Sequence, residues 1–102
     1  MPGAYAAWFG MPLKTLSGAI KRPYAAVHKT PDAPALQPAL KVFLRIGSAL
    51  LHQVGSEEGA RVWLNAPNPD LEDDLSPLSC IELGEQEIIA ELLEDSLMGM
   101  PG

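Results

Sequence analysis

Between residues 36 and 54 apolar side chains return at helical spacing for about five turns, longer than anywhere else in the chain. Leu36, Leu40, Phe43, Gly47, Leu50, Leu51 and Val54 keep one stripe. Val42, Ile46 and Ala49 add a second apolar side, a pattern that suits a helix covered on more than one flank. The expectation is that this helix is the buried spine of the domain. Pro38 falls in its first turn, where a missing N–H is tolerated, and Gly55 stops it. With 102 residues, 47% of them hydrophobic, the chain can build one small core and not two full-sized domains.

The elements around the spine are short. "MPGAYAAWFG" has no sustained period, so residues 1–10 read as an arm docking through Trp8 and Phe9, whose rings are unfavourable in water. In "MPLKTLSGAI", Leu13, Leu16 and Ile20 stand at i, i+3 and i+7, giving one amphipathic helix. Pro23 separates it from "PYAAVHK", about two turns with Tyr24 and Val27 on one side. "TPDAP" is a loop. After the spine, Ser56 is an N-cap, Glu57 and Glu58 favour the positive end of the next helix, and Ala60, Trp63 and Leu64 face inward.

The stretch "WLNAPNPDLEDDLSPLSCIELG" then imposes a series of stops and starts. Asn65 and Pro67 end a helix, "PNPDL" is a rigid turn with Leu71 as its apolar plug, and Ser76 followed by Pro77 opens a helix of about two turns. Beyond Gly84, Ile88, Ile89, Leu92 and Leu93 form the stripe of a last helix behind leading acids. Apolar and polar residues nowhere alternate for long enough to make a strand, so the fold class is all-α.

Charge divides the chain. Residues 1–47 carry six cations (Lys14, Lys21, Arg22, Lys29, Lys41, Arg45) against Asp32, and residues 48–102 carry twelve acids against Arg61, so about +5 and −11 make the net −6. Overall acidity argues against a dedicated nucleic-acid binder, while the split suits separate basic-facing and acidic-facing tasks. No run approaches the roughly 18 apolar residues of a membrane span. A single cysteine, Cys80, and no signal-like segment near the start lead to the expectation of a cytoplasmic, reducing compartment. His28, His52 and Cys80 lack zinc-ligand spacing, no serine sits in a nucleophile elbow, and phosphate-binding glycine motifs are missing. The acids of "EDD", Glu72, Asp73 and Asp74, do not surround a cation without further oxygens. No catalysis and no cofactor are expected.

From residue 56 to 97 the order of elements resembles the toxin-binding domain of Xre/MbcA/ParS-type antitoxins. The resemblance rests on a tryptophan-containing helix, the "PNPDL" turn, an acidic spacer, the "SPL" short helix, a glycine followed by an acid, and "IIAELL" in the final helix. It implies two regions. Residues 1–55 would hold the arm, a degenerate Xre-like helix-turn-helix and the spine, and residues 56–102 the helical toxin-binding domain. Leu16, Ser17, Ile20 and Val27 match the apolar and small positions of a helix-turn-helix, whereas Lys21 stands where the turn wants glycine and Arg22 where an apolar residue packs.

In function, the resemblance implies an antitoxin of a type II toxin–antitoxin system that sterically inhibits a RES-type toxin acting on NAD, as a homodimer and within a toxin–antitoxin hetero-oligomer. Toxin contacts would come from Asp70, Glu72, Asp73, Asp74, Glu91, Glu94 and Asp95, with Leu97, Met98 and Met100 as adaptable apolar side chains of the tail. Autorepression through operator DNA would use Tyr24, His28 and Lys29 on the exposed face, with Lys14, Lys21 and Arg22 meeting phosphates. Two alternatives stand beside it, a neutralising module without DNA binding and a dimeric helical adaptor.

Overall fold

A computed structural model describes residues 2–98, with side chains up to residue 95. Among these residues the regular structure is wholly helical: α1 (Pro2–Phe9), α2 (Leu13–Ala19), α3 (Tyr24–Lys29), α4 (Gln37–Val54), α5 (Glu57–Asn65), α6 (Pro77–Glu82) and α7 (Gln86–Met98), with short 3-10 turns at Pro34–Leu36 and Glu72–Asp74. The all-α class read from the sequence holds.

The spine is α4. Leu40, Phe43, Ile46, Ala49 and Leu50 are its buried residues, and α7 packs along it through Ile89, Ala90 and Leu93. On another flank α1 is fixed by a file of rings, Trp8 edge-on to Phe9 at 5.0 Å and Phe9 edge-on to Phe43 at 5.4 Å. Edge-to-face stacking adds to the burial of these side chains. Pro2–Phe9 is therefore a helix and not the arm without a period that was expected. Eight residues are too few for a period to show, and the helix is held by tertiary packing. One core cluster runs from Ala6 to Leu93, so the described residues before and after Gly55 share it.

Three further expectations need correction. Leu51 and Val54 belong to the sequence stripe, yet both are 41% exposed: in the last turns of α4 the covered side is Ala49 and Leu50, with Gln53 bonded to Leu93 O, and Leu51 lies in the exposed row of Leu44. Ile88 is 48% exposed: the buried side of α7 is Ile89, Ala90 and Leu93, and small Ala90 moves that face one residue along from the Ile88–Leu92 row. Tyr24, expected beside buried Val27, is also exposed.

The helix ends follow from local chemistry. Ser56 Oγ accepts from Gly59 N at 3.0 Å, and Ser76 Oγ accepts from Ser79 N at 3.1 Å with Pro77 in the first turn, as the sequence leads one to expect. At the other ends the backbone turns left-handed. Gly10 (φ 73°) and Gly84 (φ 85°) each close a six-residue cap, with Met11 N donating to Ala6 O and Glu85 N to Cys80 O, both at 2.9 Å. The same cap closes α2, where Arg22 N donates to Ser17 O at 3.0 Å, but the left-handed residue is Lys21 (φ 58°). The position that wanted glycine in the sequence thus has the backbone of one.

Charge also ties α4 to α7. Arg45 Nη2 and Nε donate to the two carboxylate oxygens of Glu94 at 2.6 and 2.9 Å, and Nη1 donates to Glu87 at 2.8 Å. Gln53 Nε2 adds a bond to Leu93 O at 3.0 Å.

Two outcomes are expected. Lys21→Gly should relieve the left-handed lysine and raise stability by about 0.5–1 kcal/mol, seen as a melting point a few degrees higher. Hydrogen bonding from Arg45, and its charge, hold the Glu94 carboxyl below its ordinary value, so this pair stabilises the fold above the usual glutamate range near about 4.3. The contribution should fade as pH falls from there through the lowered folded value. Urea melts of Glu94→Gln should show a deficit at neutral pH that closes in acid; a deficit independent of pH would contradict the pairing.

Candidate functional site

The acidic turn read from the sequence borders an apolar groove. Asn68 fixes the loop: its side-chain Oδ1 accepts from Asp70 N at 2.9 Å and its own N–H donates to Leu75 O at 3.1 Å, closing the loop on itself. Leu71 is thereby directed into the core, 9% exposed, as the plug expected. The following Glu72–Asp74 turn is tight, with Asp73 (φ 56°) and Asp74 (φ 52°) both left-handed, a conformation aspartate tolerates better than most residues. Then Ser76 and Pro77 start α6, which brings Cys80 up behind the turn.

The result is a groove of about 210 Å³ between this loop, α6 and the start of α7. Leu71, Leu75, Cys80 and Ile88 form its apolar lining, and Asp70, Glu72 and Glu85 stand around it. Its field is felt by Cys80, whose thiol is pushed above its ordinary value first by burial and then by the charges of Glu85 and Glu72. A buried thiol among carboxylates is a poor nucleophile, and Cys80 forms part of the groove wall. Chemically the groove suits an apolar side chain accompanied by a cationic one.

The candidate toxin contacts fall into three groups. Asp70 and Glu72 border the groove, and Asp73 and Asp74 are exposed on the adjoining turn. Glu91 and Asp95 are exposed farther along α7, while Glu94 is engaged by Arg45. Leu97, Met98 and Met100 lie outside the described side chains. The structure adds Leu75, Glu85 and Ile88, which the sequence reading did not select. Glu85 had a signal, since an acid beside the left-handed Gly84 must project at a helix corner. Ile88 had none, because it matches the stripe of a core residue.

The candidate DNA contacts occupy α2, α3 and the turn between them. Lys14, Lys21, Arg22, Tyr24, His28 and Lys29 are all exposed, and Tyr24 stacks on His28 at 5.6 Å. Beneath them Leu16, Ser17, Ile20 and Val27 are buried, with Ser17 Oγ donating to Leu13 O at 2.8 Å. The α2 end is docked on the α6–α7 corner by Gln86 Nε2, which donates to Ala19 O at 3.1 Å. Among the described residues no three His, Cys, Asp or Glu side chains converge as a metal site, and no helix is long and apolar enough to cross a membrane.

Comparison with protein-family models, with curated proteins and with solved structures finds no match to this chain.

The groove field can be read through its cysteine. Alkylation of Cys80 in the folded protein should be slow at neutral pH, and the combined change Glu72→Gln and Glu85→Gln should move its rate–pH profile to lower pH. An unchanged profile would mean that the two carboxylates do not act on the thiol.

Proposed function

We propose that this chain is the antitoxin of a type II toxin–antitoxin pair and neutralises a RES-type toxin that acts on NAD by covering its active-site entrance. The observation that carries the reading is the acid-bordered apolar groove, because it is built by the same segment, residues 68–88, that holds most of the resemblance to the antitoxin toxin-binding domain. An apolar floor supplies burial, and Asp70, Glu72 and Glu85 supply attraction for a cationic partner edge. Exposed charges of this kind change the rate of encounter more than the final affinity. Inhibition is steric, and the chain itself supplies no reacting group.

A second activity, repression of its own operon, is favoured by one observation: six exposed cationic, aromatic or imidazole side chains on and between α2 and α3, over a buried small-and-apolar underside. Phosphate contacts from Lys14, Lys21 and Arg22 would position the domain and the face of α3 would meet bases. With six residues, α3 offers little length for base reading, so binding would depend strongly on salt.

Co-expression with the protein encoded beside it tests both activities. The expected result is co-elution in size-exclusion chromatography with loss of the partner's NAD turnover, and restored turnover when Ile88→Arg and Glu85→Lys are combined. Retardation of the upstream DNA by the separated antitoxin would establish repression. Absence of both co-elution and inhibition would overturn the antitoxin reading.

A further inference from the structure

Residues 1–31 hold four Lys and Arg side chains, Lys14, Lys21, Arg22 and Lys29, and no acid. Among the described residues none of the four takes part in an ion pair. Within this field lies an aromatic surface. Tyr24 stacks on His28, with ring centroids 5.6 Å apart and planes 27° from parallel, and 45% of the tyrosine remains open to solvent. The next two residues, Ala25 and Ala26, are also exposed and carry only a methyl group each. Arg22 precedes Tyr24 by two residues, at most about 7 Å of backbone. Lys29 directly follows His28, so each end of the stack has a cation.

We propose that this face binds a single strand of nucleic acid, with an unpaired base stacked on Tyr24 and the flanking phosphates meeting Arg22 and Lys29. Stacking selects the strand over the duplex. In a double helix the flat faces of the bases are covered by their neighbours and only the edges are open, so an aromatic ring finds nothing to lie against. An unpaired base offers its face, and every base has one. Reading edges instead would require α3 to enter the major groove, and its six residues make only about 9 Å of helix. Ring and cations meet base and phosphate and leave the sugar unread, so RNA and DNA strands bind alike. The inference rests on the face of the second activity proposed above and changes its ligand; toxin neutralisation is independent of it.

Fluorescence anisotropy with the full chain tests it, using labelled oligouridylate and oligothymidylate strands and a DNA duplex of equal length. Both strands should bind, and more tightly than the duplex. Tyr24→Ala should weaken strand binding about tenfold, whereas Tyr24→Phe should leave it unchanged. Helical circular dichroism should be the same in both variants, because the ring is exposed. Two phosphate contacts give log K against log salt a slope of about −1.4, and Lys29→Ala should reduce its magnitude by about 0.7. A duplex bound as tightly as the strands, or more tightly, would overturn the proposal and leave the operator reading standing. Binding of neither would overturn both. Strand affinity unmoved by Tyr24→Ala would also overturn it, since attraction to the cations alone would then account for binding.

Discussion

The fold is carried by the inner face of α4, on which α1, α5 and α7 pack directly while α2, α3 and α6 are held chiefly through them. Leu40, Phe43, Ile46 and Leu50 are each at most 2% exposed, and burial of such side chains contributes roughly 1.5–3 kcal/mol apiece. The Arg45 pair with Glu94 and Glu87 lies on the partly exposed margin of the α4–α7 contact, where solvent screening leaves ion pairs a small contribution. Apolar burial therefore holds α7 to α4, and Arg45 refines how the two helices are aligned. The same reasoning ranks the contacts of α1. Phe9, buried against Phe43, carries the docking, while the Trp8 Nε1 bond to Glu57 at 3.0 Å and the Arg61 bond to Trp8 O at 3.2 Å are exposed fastenings at its edge.

With six shorter helices around one spine among the described residues, the reversals between them become the second constraint. Gly10, Gly55 and Gly84 adopt left-handed φ and stop α1, α4 and α6, and Lys21 does so for α2. These caps satisfy carbonyls that would otherwise be orphaned within a turn or two of a buried contact. The fourth cap is the informative one. Lys21 lays its aliphatic stem near Gly84, so one left-handed corner packs upon another, and Gln86 bonds to Ala19 O at the same place. A glycine at 21 would relax the backbone and remove that stem.

Much of the fold was legible because it is written in local chemistry. The stripe of α4, the Gly55–Ser56 stop and start, the Ser76–Pro77 opening and the Leu71 plug each depend on neighbours a few positions away. What could not be read depends on distant partners. The helix α1 is stabilised by Phe43, thirty-four positions beyond Phe9, and its own composition of glycine, alanine and aromatics carries no period. Ile88 has a core residue's spacing, and only the approach of α7 to α4 at Ala90 turns it toward the groove. Glu94 looked as available as Glu91 until Arg45, 49 positions earlier, engaged it. The acids bordering the groove were visible as a cluster; its floor of Leu75, Cys80 and Ile88 was not, because it joins three elements.

The charge split between the halves consequently does not become a simple pair of opposed surfaces. Arg45 from the basic half is neutralised within the fold by two of the twelve acids of the acidic half. The remaining acids do not act as one either. At physiological salt a charge is screened within about 8 Å, and Asp95 stands seven residues, roughly 10 Å along the helix axis, beyond Ile88. A segment lodged in the groove would therefore respond to Asp70, Glu72 and Glu85 directly and to the Asp73–Asp74 turn beside them, with Asp95 nearly silent. The net charge of −6 governs solubility and long-range encounter. In the proposed reading, recognition would fall to the few carboxylates that the PNPDL turn and the left-handed corner at Gly84 bring around an apolar floor.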